Sequence, residues 1–238
     1  MHLIAPFISV LLGYLVALFL KPKDKKNIKL VLAFSGAFLL SLTVLHLLPE
    51  LYDAHQHSEH EHATQHIGIF IMLGILFQIV LEFFSKGAEH GHVHGHAHHQ
   101  LHQIPWLLFI SLCIHALLEG FPVSHHHGLS WGIAVHHLPI AIILTTFFVN
   151  GGLGKLPIFL FMMGFAIMTP LGTILAEQLP VLMNYRTEMT AIVVGILFHI
   201  SSTIIFESNE GHKFNLAKIT MIVLGFLLAF FMEMGHSH

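Results

Sequence analysis

Charge is what this sequence has least of. Only 10% of its 238 residues are Asp, Glu, Lys or Arg, while 55% are hydrophobic. A soluble domain carries roughly a quarter charged residues, so most of this chain's surface is expected to meet lipid and not water. The formal net charge of −3 gives no basic balance for nucleic acid, and none is expected as a partner. There is a single cysteine, Cys113, which excludes an internal disulfide and any CxxC metal site. Its neighbours, LFISLCIHALL, make it a packed thiol. The first apolar run, Met1–Phe19, has no basic residues ahead of it and no small-residue cleavage site, and its lysines follow it. That order is expected of a retained first span and not of a secretory signal.

What the chain does have is apolar length and histidine. Eight apolar stretches, near 3–20, 30–51, 67–85, 104–123, 129–149, 156–178, 189–207 and 215–234, can each cross about 30 Å of hydrocarbon as a helix. The expected fold is therefore an all-α membrane protein, a single transmembrane domain (1–238) of eight helices. Its punctuation is KPKDKKN, two histidine-rich tracts, SHHHG, NGGLGK, NYRTE and ESNEGHK. Lys21, Lys23, Lys25, Lys26, Lys29, Lys86, Lys155, Lys213 and Lys218 all fall in or beside loops on one side, and Arg186 alone falls on the other. Basic residues stay in the cytoplasm, so both termini are expected outside. The short loops suit a bacterial inner membrane, and pairing into a homodimer is compatible with the composition.

There are 24 histidines, far more than folding calls for. The outer loop 53–66 (DAHQHSEHEHATQH) and the cytoplasmic loop 87–103, with EHGHVHGHAHHQLH at its heart, are low-complexity and too polar to fold alone. Neutral imidazole binds zinc, copper and nickel, so both read as flexible metal-binding segments. His125, His126 and His127 could gather ions at the outer mouth or form a solvated turn.

Ionisable residues inside spans are costly and therefore functional by default. Span 4 contains His115 and Glu119 at i, i+4, one turn apart on one face. Span 5 contains His136-His137-Leu138-Pro139. Adjacent helical residues point about 100° apart, so one of the two histidines faces a given ion. Pro139 removes a backbone donor and loosens the helix, as expected where backbone lines a polar site. Each histidine alone would more often be a bonded structural ring; it is their company with Glu119 on neighbouring spans that points to metal. His46 and Glu50 repeat the i, i+4 spacing near the outer boundary, either as a way-station for the arriving ion or as an interfacial cap. Ser111, one turn before His115, could line the path. So could His199 and Ser202 on span 7, unless they serve packing. Gly36, Gly68, Gly74, Gly164, Gly195 and Gly225 are expected to permit close helix packing. Two decoys fail: GGLGK at Gly151–Lys155 lacks the first glycine and the Ser/Thr of a phosphate loop, and there is no HExxH.

HALLEG and HHLPIA resemble the fourth- and fifth-helix motifs of the ZIP family of divalent metal-ion transporters. LHLLPE (Leu45–Glu50) and TPLG (Thr169–Gly172) are similar to its second and sixth. The resemblance implies an inverted repeat of helices 1–3 and 6–8 around helices 4 and 5. It also implies a transport site at His115, Glu119 and His136, with His137 on a second-site position. Three departures each remove a ligand: Ala116 for the usual Asn, Ile140 for a bridging His or Glu, and Thr169 for a carboxylate found in some members. One site completed by water is therefore expected, and three protein ligands with water suit tetrahedral zinc. The function implied is inward movement of a divalent ion, most readily zinc, by alternating access, the ion being cargo and not a resident cofactor; no enzyme activity is expected. The alternatives are an intramembrane zinc hydrolase using the same ligands to activate water, and a sensor whose loops bind metal while its spans only anchor it.

Overall fold

The structure, a computed structural model, describes residues 4–20, 25–53, 63–85, 105–123, 127–207 and 216–236. Most of both histidine-rich loops, together with His125 and His126, lies outside the described residues.

The chain runs as α1 (Ile4–Leu20), α2 (Lys25–Leu42), α3 (Leu48–Asp53), α4 (Ala63–Ser85), α5 (Trp106–Val123), α6 (His127–Asn150), α7 (Lys155–Gln178), α8 (Pro180–Asn184), α9 (Arg186–Glu207) and α10 (Leu216–His236). No strand occurs among the described residues. A helix satisfies its own backbone polar groups, and in hydrocarbon nothing else is there to do so. Six helical segments are long and apolar enough to cross a membrane: Ile28–Asp53, Gln65–Phe84, Trp106–Val123, Leu129–Asn150, Lys155–Gln178 and Arg186–Phe206. The apolar helices at the two ends, Ile4–Phe19 and Leu216–Met232, are shorter.

Polarity is arranged inside out. Large apolar side chains stand exposed along α4 (Ile69, Met72, Leu76, Phe83) and α10 (Val223, Leu227, Phe231), where lipid and not water would meet them. Ser9, Thr43, Gln78, His115, Glu119 and His136 are buried instead. Four pairings dominate the packing: α1 on α6, α5 on α7, α4 on α9 and α2 on α10. One apolar core, including Val10, Leu112, Ile140, Phe148, Phe161 and Phe165, belongs to α1, α5, α6 and α7. A second, including Leu39, Leu47, Ile67, Ile133, Val194 and Leu197, centres on α2, α4 and α9.

Glycine sets the closest of these approaches. A Cβ on Gly172 of α7 would lie 1.9 Å from the Leu117 carbonyl oxygen of α5, and one on Gly120 would lie 2.2 Å from that of Thr169. Thr173 Oγ1 crosses the same seam to donate to the Gly120 carbonyl at 2.8 Å. Gly74 and Gly195 make the same reciprocal crossing between α4 and α9, each with a virtual Cβ 2.0 Å from a carbonyl oxygen opposite. Gly68 departs from the expectation: nothing lies within 4 Å of its virtual Cβ, so no close packing depends on it.

Between α2 and α3 the span passes through a π-helical turn, Thr43–Leu47, closed by the Leu48 N–H on the Thr43 carbonyl. Its cause is local. Pro49 has no N–H for the carbonyl four residues earlier and its ring crowds that carbonyl, and the wider turn directly before it accommodates both. α6 ends on GGLGK as a Schellman motif, with Leu153 N–H on the Phe148 carbonyl, Gly152 N–H on that of Val149, and Gly152 at φ +77°. The apparent phosphate loop is a helix stop. The stretch between spans 6 and 7 is not plain loop either: it contains α8, and α9 starts at Arg186.

Candidate metal centre

α5 and α6 each contribute two side chains to one sealed spot. His115, Glu119, His136 and His137 are all at most 1% exposed. On α5 the i, i+4 spacing does what helical geometry requires, and His115 Nε2 lies 3.1 Å from Glu119 Oε1. His137 Nε2 reaches the other carboxylate oxygen, Oε2, at 3.0 Å. His115, Glu119 and His136 each offer a ligand atom, and these three atoms all lie within 4.8 Å of one another. Tetrahedral zinc holds its ligand atoms about 3.3 Å apart, so small side-chain rotations would close the set on one ion. The chemistry of the donors fits: two imidazoles and a carboxylate suit a borderline-soft divalent cation, and a carboxylate buried away from water calls for a cation or strong donors.

α7 closes the site from a third side. The Gly120/Gly172 crossing holds α7 against α5 one residue beyond Glu119. Phe165 of α7 packs its ring against His137 with centroids 5.1 Å apart. At the three departures the structure shows Ala116 and Ile140 buried in the apolar core. Thr169 is buried beside Gly120, with its carbonyl accepting from Thr173 Oγ1 at 3.1 Å.

The pathway candidates do not join this cluster. Ser111 Oγ donates to the Leu81 carbonyl at 2.7 Å and ties α5 to α4. Ser202 Oγ bonds back to Phe198 and His199 carbonyls of its own helix at 2.7 and 2.9 Å. His46 sits half-buried on the π-helical turn, with Glu50 exposed one turn on, apart from the four-residue cluster. His199 has a partner that sequence reading overlooked: its Nε2 lies 2.6 Å from Glu82 Oε2, an α9–α4 pair with both side chains about one-fifth exposed (19% and 22%). The signal was present, since Glu82 interrupts the apolar run of span 3 and an acid there is costly.

Apolar spans packed around a buried His–Glu–His cluster define a polytopic helical membrane protein with a candidate site for a divalent cation. The family whose likeness the motifs carry is the ZIP family: the family model described as ZIP Zinc transporter matches residues 1–105. That stretch runs from α1 through α4 and stops before the ligand-bearing helices, so the family match and the cluster are observations on different parts of the chain. No curated protein matches the chain.

Proposed function

We propose that this protein moves divalent metal ions, most readily zinc, into the cytoplasm, exposing a site of His115, Glu119 and His136 alternately to either side. The observation that carries the reading is the convergence of those three ligand atoms within 4.8 Å in the interior. The match of residues 1–105 to a family of zinc transporters supports it independently. The ion is the substrate. Neutral imidazoles and one carboxylate bind it, a water completes the set, and moderate affinity lets it leave. A donor set with one carboxylate disfavours magnesium and manganese.

The proposed topology is eight spans in one transmembrane domain, α1 and α10 being the outermost two, with spans 1–3 and 6–8 an inverted repeat around 4 and 5. Helix adjacency supports it. Exchanging 1–3 with 6–8 and 4 with 5 turns the α1–α6 pairing into α7–α5, and the α2–α10 pairing into α9–α4; all four are principal pairings. Lysine placement supports a cytoplasmic face for the loops after spans 1, 3, 5 and 7, with both termini outside, and the short loops suit a bacterial plasma membrane.

The test is zinc uptake into proteoliposomes by the wild type and by a His115→Ala/Glu119→Ala double variant. Uptake in the wild type that vanishes in the variant is expected. Equal uptake by both would remove the site, and binding without uptake by the wild type would remove transport.

A further inference from the structure

Glu119 divides its two oxygens between two histidines, and the division assigns them different work. Oε1 lies 3.1 Å from His115 Nε2, while Oε2 lies 3.0 Å from His137 Nε2. An ionised carboxylate only accepts hydrogen bonds. At 3.0 Å, His137 Nε2 must therefore carry a proton and donate it, since a bare lone pair there would face the oxygen's own lone pairs. A nitrogen carrying that proton has no lone pair for a metal. The ring's other nitrogen, Nδ1, is buried without a hydrogen-bond partner, and the ring packs against Phe165. His137 also falls outside the group of three whose ligand atoms converge.

We infer that His137 is a positioning residue and not a ligand: its Nε2–H holds Glu119 Oε2 so that Oε1 alone turns to the ion, which makes the centre a one-ion site. The inference rests on the metal-site reading proposed above and deepens it. The arrangement reverses the common order in which a carboxylate orients a ligating histidine; here a histidine orients a ligating carboxylate. Two features of the helices produce it. Adjacent residues of α6 point about 100° apart, so His136 and His137 cannot approach one point alike, and their ring centroids are 6.1 Å apart. The α7 wall at Phe165 then fixes His137 at the carboxylate's far side.

Glutamine separates positioning from ligation, because its side-chain amide presents an N–H the same number of bonds from Cα as His137 Nε2 while being a poor zinc ligand. Full-length protein in nanodiscs would be equilibrated with buffered zinc and its bound metal measured by mass spectrometry. The His115→Ala/Glu119→Ala variant is carried in parallel, so that zinc held by the histidine-rich loops is subtracted. One core zinc per wild-type chain is expected. His137→Leu should raise its dissociation constant about 10- to 100-fold, the usual cost of losing an orienting partner, and His137→Gln should restore binding to within about threefold of wild type. The inference is overturned if His137→Gln binds as poorly as His137→Leu, if His137→Leu binds like wild type, or if the core holds two ions. If the double variant binds as much zinc as the wild type, the metal site itself is wrong. Should His137→Leu fail to fold, the wild-type stoichiometry and the His137→Gln affinity decide the matter alone.

Discussion

Replacing Gly172 with Ala tests whether the α5–α7 crossing holds the centre together. The new Cβ would sit 1.9 Å from the Leu117 carbonyl oxygen, 2.9 Å from its carbon and 3.3 Å from Gly120 Cα. All three obstacles belong to backbone or to another glycine, so no side chain can swing aside. Ordinary contact begins near 3.4 Å, and the helices must part by about 1.5 Å at this point. Overpacking of this kind costs about 1–3 kcal/mol. The absence of any flexible neighbour puts Gly172→Ala at the upper end, about 2–3 kcal/mol, or a fall of about 5–10 °C in the unfolding midpoint of a chain this long. Gly68→Ala is the internal control: nothing lies within 4 Å of its Cβ, and alanine in a helix is favoured over glycine by about 1 kcal/mol. Both variants would be followed by thermal unfolding in detergent, with and without zinc. Because Glu119 adjoins the crossing, Gly172→Ala should also lose zinc affinity by on the order of tenfold, through displacement of a ligand helix by more than the tolerance of a preorganised site. If Gly172→Ala melts with Gly68→Ala and binds zinc as the wild type does, the reasoning from close backbone approach is wrong.

The other expectations are narrower. Zinc uptake should fall as pH is lowered from about 7.5 to about 5, because an imidazole must be neutral to offer its lone pair and protons then compete with the ion; a flat profile would exclude histidine ligation at the rate-limiting step. The Glu82–His199 pair, at 2.6 Å and only partly exposed, should show a coupling of about 1 kcal/mol in a double-mutant cycle on stability. Strict additivity of Glu82→Ala and His199→Ala would leave the contact without energetic weight. Magnesium and manganese in large excess should compete poorly with zinc for uptake, as a centre with a single carboxylate requires, and efficient competition by either would refute the proposed donor set.

Much of the site was legible because membrane spans make ionisable residues conspicuous. His115 and Glu119 are one helical turn apart in any α-helix, so their contact followed from spacing alone. That His136 and not His137 completes the convergent group did not follow, since it depends on how α6 is rotated against α5. Nor did the partners of Ser111 and His199, because a hydroxyl or imidazole in a span has no periodicity that reveals whether it meets an ion, a carbonyl or another helix. Span number and placement were readable from hydropathy. The π-helical turn and α8 were not, being local responses to Pro49 and to a seven-residue link between α7 and α9 that contains Pro180.

The π-helical turn also has a meaning in terms of reading frame. A five-residue turn closed from Leu48 back to Thr43 holds one residue more than the α-helical path needs. Deleting a single residue from Thr43–Leu47 would therefore leave a span that still crosses, with α3 rotated by about 100° and drawn in by about 1.5 Å. Glu50 would then point to a different quarter of the helix while α2 kept its seat against α10. At this place an insertion or deletion, and not a substitution, is the change that would re-aim the outer end of the span.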